Sequence, residues 1–305
     1  MKFEGIYTPA ITPLAANGEI DRKAFAEVLE SLIAAGVHGI IIAGSTGEYY
    51  AHTPQERFDL AAHAKEVIGS RLPLIVGTGA IRTEDSVAYA KAARQIGADA
   101  ILVASPPYAM PSEGENANHA LTIDRAAGLP IMLYNYPGRM GVSMGETYFT
   151  QVSQSKNVVA IKESSGDMGQ LHLLARRFPN IALSCGWDDQ ALEFFAWGAR
   201  SWVCAGSNFL PTEHIALYNA CVIEKNFDKG RRVMSAMLPL MNLLDEGKFV
   251  QKIKHGCALA GLKTGKPRLP LLPLDADEEE RVAAVVAKLK QEVASIAHPA
   301  QESAR

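Results

Sequence analysis

Short apolar stretches recur along the chain at roughly regular intervals: GIYTPAIT, HGIIIAGS, LPLIVGTG, AILVASP, PIMLYNYP, VVAIKES, IALSCG and SWVCAG. Most are nearly continuous in apolar residues and lack the alternation of a strand with one wet face. Parallel strands covered on both faces read this way. Between them the hydrophobic period becomes helical. Over about 21–35, Phe25, Val28, Leu29, Leu32 and Ile33 fall on one stripe, with Asp21 as N-cap and Gly36 as the stop. Thr53, Pro54 and Glu56 make a capping box with proline in the first turn, and Ser143 with Glu146 repeats the box before the fifth helix. Further helices are expected over 168–178 and 188–197.

Strand and helix in alternation mean βαβ units and a parallel sheet. Eight of them predict an α/β fold of the closed (β/α)8 TIM-barrel type. The rival, an open doubly wound sheet, usually has fewer strands. No Gly-rich dinucleotide fingerprint follows the first strand, and Gly77-Thr78-Gly79 is too short a match. After the eighth run the pattern turns wholly helical. The expected organisation is a barrel core over 1–211, a closing helix and C-terminal helical appendage over 212–298, and a frayed tail over 299–305. The appendage is the expected site of subunit contacts.

Composition narrows the class. The chain has 305 residues, 48% hydrophobic, enough for a large core, and its formal net charge is −3. No basic patch suggests nucleic acid as a partner. The N-terminus lacks an apolar signal region, and no apolar run is long enough to span a membrane. The four cysteines are far apart, with no C-x-x-C pair, which argues against zinc or a redox dithiol. A cytoplasmic protein with reduced thiols is expected. The eight histidines form no ligand set, so no metal is expected.

In such barrels the chemistry lies at the C-terminal ends of the strands. The polar residues that end the apolar runs are therefore the candidates. Lys162 ends Val-Val-Ala-Ile, which directs its amine into the barrel mouth. Apolar surroundings disfavour the ammonium and leave an amine able to attack a carbonyl carbon. The plainer alternative is a rim lysine facing solvent. Tyr134 ends the neighbouring strand, where a phenol can carry protons to and from a carbinolamine; a buried core tyrosine is the alternative. Gly44-Ser45-Thr46-Gly47-Glu48 follows the second strand. Its glycines allow a tight turn exposing backbone N–H groups that can bind a carboxylate, although an ordinary turn before a helix reads the same. It lacks the lysine of a phosphate-binding loop. Arg139, in Tyr-Pro-Gly-Arg-Met-Gly, can clamp a second carboxylate or simply face solvent. Asp188-Asp189 can ligate Mg²⁺ or, more simply, cap the helix that follows.

Gly-Ser-Thr-Gly-Glu, Pro-Pro-Tyr108, Tyr134-Asn-Tyr-Pro-Gly-Arg139-Met-Gly and Ile-Lys162-Glu-Ser-Ser together resemble the dihydrodipicolinate synthase / N-acetylneuraminate lyase family. The resemblance runs from Ile6 into the Arg268-Leu-Pro-Leu-Leu-Pro-Leu stretch. It implies a homotetrameric class I barrel with Lys162 as the Schiff-base lysine and Tyr134 as the acid–base residue. Ser45 and Tyr108 would complete a proton relay, Tyr108 entering from a neighbouring subunit. Backbone N–H groups of Ser45 and Thr46, in the turn closed by Gly47, would hold the carboxylate of a small 2-oxo or 2-imino acid. Val203 matches a position whose backbone carbonyl faces the lysine, and Arg139 matches the arginine that the synthase branch uses for its second substrate. No metal or organic cofactor is implied.

The sialic-acid lyase branch typically lacks that arginine and ranks lower. The synthase branch usually has threonine at Ser45 and a small residue at Tyr49. The bulk of Tyr49 and Tyr50 favours a catabolic member, and the specific expectation is a 1-pyrroline-4-hydroxy-2-carboxylate deaminase. The alternatives are condensation of pyruvate with aspartate semialdehyde and cleavage or dehydration of a 2-keto-3-deoxy sugar acid. Outside the Schiff-base class stand a non-catalytic 2-oxo acid sensor and a metal-dependent aldolase.

Overall fold

Each of the eight apolar runs becomes a strand because each is covered twice, by the barrel interior and by a helix. The computed structural model describes residues 1–297. Its strands are β1 (Gly5–Pro9), β2 (Gly39–Ile42), β3 (Leu74–Gly77), β4 (Ala100–Ala104), β5 (Ile131–Asn135), β6 (Val158–Glu163), β7 (Ala182–Cys185) and β8 (Ser201–Val203). They pair in chain order as a closed barrel, and β8 returns in parallel to β1. Alternate residues fill the two sides. Tyr7, Ile41, Ile75, Leu102, Met132 and Ala160 pack inside the barrel. Ile40, Ile42, Leu74, Val76, Ile101, Leu133 and Ile161 pack outward against the helices. Each such large side chain withdrawn from water is worth about 1.5–3 kcal/mol.

Seven helical segments cross between the strands or line the mouth before α8: α1 (Arg22–Ala34), α2 (Pro54–Ile68), α3 (Thr83–Gln95), α4 (Glu113–Ala127), α5 (Pro137–Met140), α6 (Glu146–Val152) and α7 (Met168–Arg177). Then come α8 (Ala191–Ala196), α9 (Pro211–Tyr218), α10 (Phe227–Asp245), α11 (Phe249–Leu259) and α12 (Ala276–Ala297). The expected starts of α1 and α2 hold. Asp21 accepts the Ala24 N–H at 2.9 Å, and Gly36 takes a left-handed φ of 78° just past the end. Thr53 and Glu56 form the reciprocal box.

The box expected at Ser143 and Glu146 does not form. Gly145 is the N-cap of α6 and supplies no side-chain bond. Glu113 of α4 fills that role from outside, its carboxylate accepting the Tyr148 N–H at 2.9 Å. A Cβ on Gly145 would collide with that carboxylate. The second box stands instead at Ser112 and Glu115, opening α4. All four cysteines are free and buried. Among the described residues, no helix is long and apolar enough to cross a membrane. The tail expected over 299–305 lies outside the described residues.

Candidate active site

The pairing of β5 with β6 sets Tyr134 directly beside Lys162. The lysine Nζ lies 4.1 Å from the centre of the Tyr134 ring. One residue further on, the pleat turns the side chains the other way. There Asn135 Nδ2 donates to Glu163 Oε2 at 2.8 Å, and Ser165 N donates to Glu163 Oε1 at 2.6 Å. Burial raises the Glu163 carboxyl above its ordinary value, and those bonds oppose the rise. This pair locks the strand ends that carry the lysine and tyrosine. On the lysine's other side, just past the end of β7, Gly186 leaves room for the lysine stem, since a Cβ there would lie 2.6 Å from Lys162 Cγ.

The turn after β2 is tighter than its two glycines alone would suggest. The left-handed residues are Ala43 (φ 52°) and Glu48 (φ 58°), not the glycines. Gly47 is required by close approach, because a Cβ would meet the Ala10 carbonyl oxygen at 2.9 Å. Gly47 N donates to Gly44 O at 3.1 Å and Glu48 N to Ser45 O at 3.1 Å. Among the described residues, no protein acceptor takes the N–H of Ser45 or Thr46. Two free N–H groups in a turn are a ready site for an anion.

Ser45, Thr46, Tyr134, Arg139, Lys162 and Val203 all line one cavity of about 240 Å³ at the C-terminal mouth of the barrel. Of the remaining candidates, Gly47 shapes the turn without lining the cavity. Tyr108 stands away from it, 91% exposed and at a left-handed φ of 73°. Arg139 is held at the mouth between rings, its guanidinium carbon 5.3 Å from the centre of Tyr136 and 5.8 Å from that of Phe249. Phe249 opens α11, and Leu244, Asp245 and Gly247 also reach the cavity from the C-terminal helices. Sequence reasoning missed these four, since no local pattern marks which part of a helical appendage folds back over a barrel mouth.

Asp188 differs from expectation. It does not cap the following helix: Trp187 holds the N-cap position and Asp188 begins a short 3₁₀ turn. Its Oδ1 accepts the Trp202 indole N–H at 2.9 Å, and the residue lines the lysine cavity. Burial pushes its carboxyl up to about 7, against the pull of the Trp202 bond and the Lys162 charge. Among the described residues, no group of three or more His, Cys, Asp or Glu side chains converges as a metal site.

Tyr49 and Tyr50 also differ from expectation. Neither lines the lysine cavity. Tyr49 lies behind Tyr134 in a separate crevice beside Gly77 and Gly79, its ring 5.2 Å from the buried Arg57 guanidinium. Tyr50 is 47% exposed. Neither ring therefore lines the wall around Lys162, although the crevice that holds Tyr49 shares Ser45 and Tyr134 with the lysine cavity.

A lysine beside a tyrosine and a turn with two free N–H groups, all at the C-terminal mouth of a closed (β/α)8 barrel, fits an aldolase-type lyase of class I. Within that class, the chain belongs to the dihydrodipicolinate synthetase family, whose model matches residues 2–289. The 4-hydroxy-tetrahydrodipicolinate synthase of Exiguobacterium sibiricum is 33% identical, over 88% of this chain and 92% of its own length. That of Bacillus subtilis is 31% identical over 95% of this chain and 100% of its own. The solved 4-hydroxy-tetrahydrodipicolinate synthase of Methylacidiphilum fumariolicum SolV superposes with a TM-score of 0.93 at 31% identity, covering 97% of this chain and 99% of that one. The relatives' names point to a synthase, and none of these comparisons supports the specific deaminase expectation.

Proposed function

We propose that the protein condenses pyruvate with aspartate semialdehyde through a Schiff base at Lys162, a reading in keeping with the synthase names of its relatives. The observation that carries this reading is the shared cavity. Its lining brings together the Lys162 amine, the Tyr134 phenol, the Ser45–Thr46 turn and the Arg139 guanidinium. Free N–H groups at Ser45 and Thr46 suit the pyruvate carboxylate, which aims C2 at the Lys162 amine. The amine adds to C2 and water leaves, with Tyr134 moving the protons. The protonated imine draws electrons from C3, which loses a proton and attacks the aldehyde carbon of the second substrate. Arg139 receives that substrate's carboxylate. The substrate's own amine then adds to C2, the ring closes and Lys162 is released.

The deaminase reading rested on Tyr49 and Tyr50 crowding the site, and their positions withdraw that support. Exposed Tyr108, in a strained backbone conformation with exposed Met110 nearby, fits a residue covered by a second copy. A homotetramer in which Tyr108 completes the neighbour's site is the assembly we propose. One solved relative, with a TM-score of 0.87 at 28% identity, is described as a monomeric dihydrodipicolinate synthase variant; sedimentation of this chain as a tetramer is the expected result, and a monomer overturns the assembly.

The test is borohydride trapping with pyruvate followed by peptide mass spectrometry. The expected result is a pyruvyl adduct on Lys162, absent in Lys162→Ala, with turnover of aspartate semialdehyde that persists in EDTA. A folded protein that traps nothing favours the sensor reading. An adduct with turnover of 1-pyrroline-4-hydroxy-2-carboxylate, and none of aspartate semialdehyde, overturns the synthase reading while leaving the Schiff base intact.

A further inference from the structure

The catalytic steps above leave one buried ion pair unused. Lys254 of α11 lies 2.6 Å from Glu48, the last residue of the Gly-Ser-Thr-Gly-Glu turn, and their side chains are 3% and 1% exposed. Lys254 Nζ also donates to the Lys266 carbonyl at 3.2 Å, while Glu48 Oε1 accepts the Arg268 N–H at 2.8 Å. The Arg268 guanidinium in turn forks onto Glu56 of α2 and donates to Ala51 O at 2.8 Å. Two distant stretches of chain, α11 and the segment at Arg268, thus converge on one carboxylate at the end of the turn. A buried pair of this kind seldom adds net stability over apolar residues of the same size. Glu48 also sits at a φ of 58°, which costs a residue with a side chain about 1 kcal/mol or more. Something other than stability has to account for the arrangement.

Peptide geometry supplies the account. The C=O of Ser45 and the N–H of Thr46 belong to one rigid plane, as do the C=O of Gly44 and the N–H of Ser45. Glu48 N holds the first carbonyl at 3.1 Å; Gly47 N and Tyr49 N hold the second at 3.1 and 3.4 Å. Pinning each carbonyl from behind fixes the direction in which the N–H on the other side of the plane points. Whatever holds Glu48 therefore holds the plane of the Thr46 N–H directly, and the plane of the Ser45 N–H through its chain neighbours Gly47 and Tyr49, at two residues that line the cavity. We propose that the Glu48–Lys254 pair is a positioning device for carboxylate recognition. Through it, the C-terminal helices of the chain are a working part of the chain's own substrate site. This rests on the reading that the Ser45–Thr46 turn binds the carboxylate of a 2-oxo acid.

The test compares borohydride trapping of pyruvate with trapping of hydroxyacetone, a ketone without a carboxylate. It is run on the wild type and on Glu48→Gln/Lys254→Met, which removes both charges and leaves neither unpaired. In the paired variant the half-saturating pyruvate concentration should rise about tenfold or more, the factor for weakened hydrogen bonds to a carboxylate, while hydroxyacetone trapping stays within about twofold. Unchanged pyruvate saturation, or an equal loss with both ketones, overturns the proposal. Should the paired variant fail to fold, Glu48→Asp decides by the same comparison, since it keeps the charge and withdraws the carboxylate by one methylene. A wild type that traps hydroxyacetone but shows no preference for pyruvate overturns both this proposal and the carboxylate-binding reading. One that prefers pyruvate while the variants do too overturns this proposal alone.

Discussion

Replacing Gly186 with alanine tests the lysine's placement with a single methyl group. Gly186 lies outside the positive-φ region, so alanine meets no backbone penalty and the contact is the whole perturbation. The new Cβ would lie 2.6 Å from Lys162 Cγ and 3.0 Å from its Cε, with Ser164 Oγ nearer still. Carbon atoms settle at about 3.5–4.0 Å, so the lysine stem must withdraw by roughly 1 Å. A displacement of about that size at a reacting group can cost on the order of 100-fold in rate. Overpacking adds about 1–3 kcal/mol of lost stability. The expected outcome is a folded Gly186→Ala whose pyruvate trapping and kcat fall about 100-fold. Stopped-flow trapping and a urea titration measure the two effects. Combining it with Ser164→Gly relieves the hydroxyl contact and leaves the lysine contact, so stability should partly return while trapping stays slow. A folded Gly186→Ala that traps pyruvate within about threefold of wild type would refute the reasoning, as would full recovery of the rate in the double variant.

Three further outcomes follow from the same geometry. Arg139→Ala should raise KM for aspartate semialdehyde by about 10-fold or more, the worth of a charged hydrogen bond, with pyruvate trapping unchanged; steady-state kinetics with each substrate varied in turn decide it. Asp188 is raised from 3.8 to about 7, so the folded chain binds more protons than the unfolded chain between those values. The stability linked to this group is complete below about 4 and is lost as pH rises through about 7. Asp188→Asn should flatten that part of the melting-temperature profile, and an unaltered slope would count against the shift. Tyr148 buries a hydroxyl that has no hydrogen-bond partner among the described residues, and burial raises its ionisation above the ordinary value. Tyr148→Phe should therefore leave stability unchanged or raise it by up to about 1–2 kcal/mol, and a clear loss in urea titration would reveal a bond not accounted for.

The barrel was legible in the chain because its strands are buried on both faces, and that condition leaves its mark residue by residue. Val158 to Ile161 could hardly serve as anything but a covered strand, and a lysine placed just after such a run has one mouth to enter. Tyr134 was legible beside it for the same reason, since β5 and β6 are consecutive and parallel pairing brings their C-terminal ends together, past a register shift at Ile131–Met132. Local caps were legible where all their atoms lie within one turn, as at Thr53 and Glu56. The pattern at Ser143 and Glu146 misleads because α6 begins only at Glu146, with Gly145 as its N-cap, and Glu113 of another helix accepts the Tyr148 N–H.

The sequence by itself therefore determined the elements, their order and the side chains standing at the strand ends. It did not determine what closes over those ends. Asp188 turning to the Trp202 indole, Tyr49 lying behind Tyr134, Phe249 folding beside Arg139 and Lys254 meeting Glu48 were decided only in three dimensions. The physical reason is range. Helical and strand periods record which side of a residue is dry, a property set by near neighbours along the chain. Lys254 and Glu48 come together only after the barrel has closed and α11 has packed across it, and nothing in the residues adjoining either one records the other's approach.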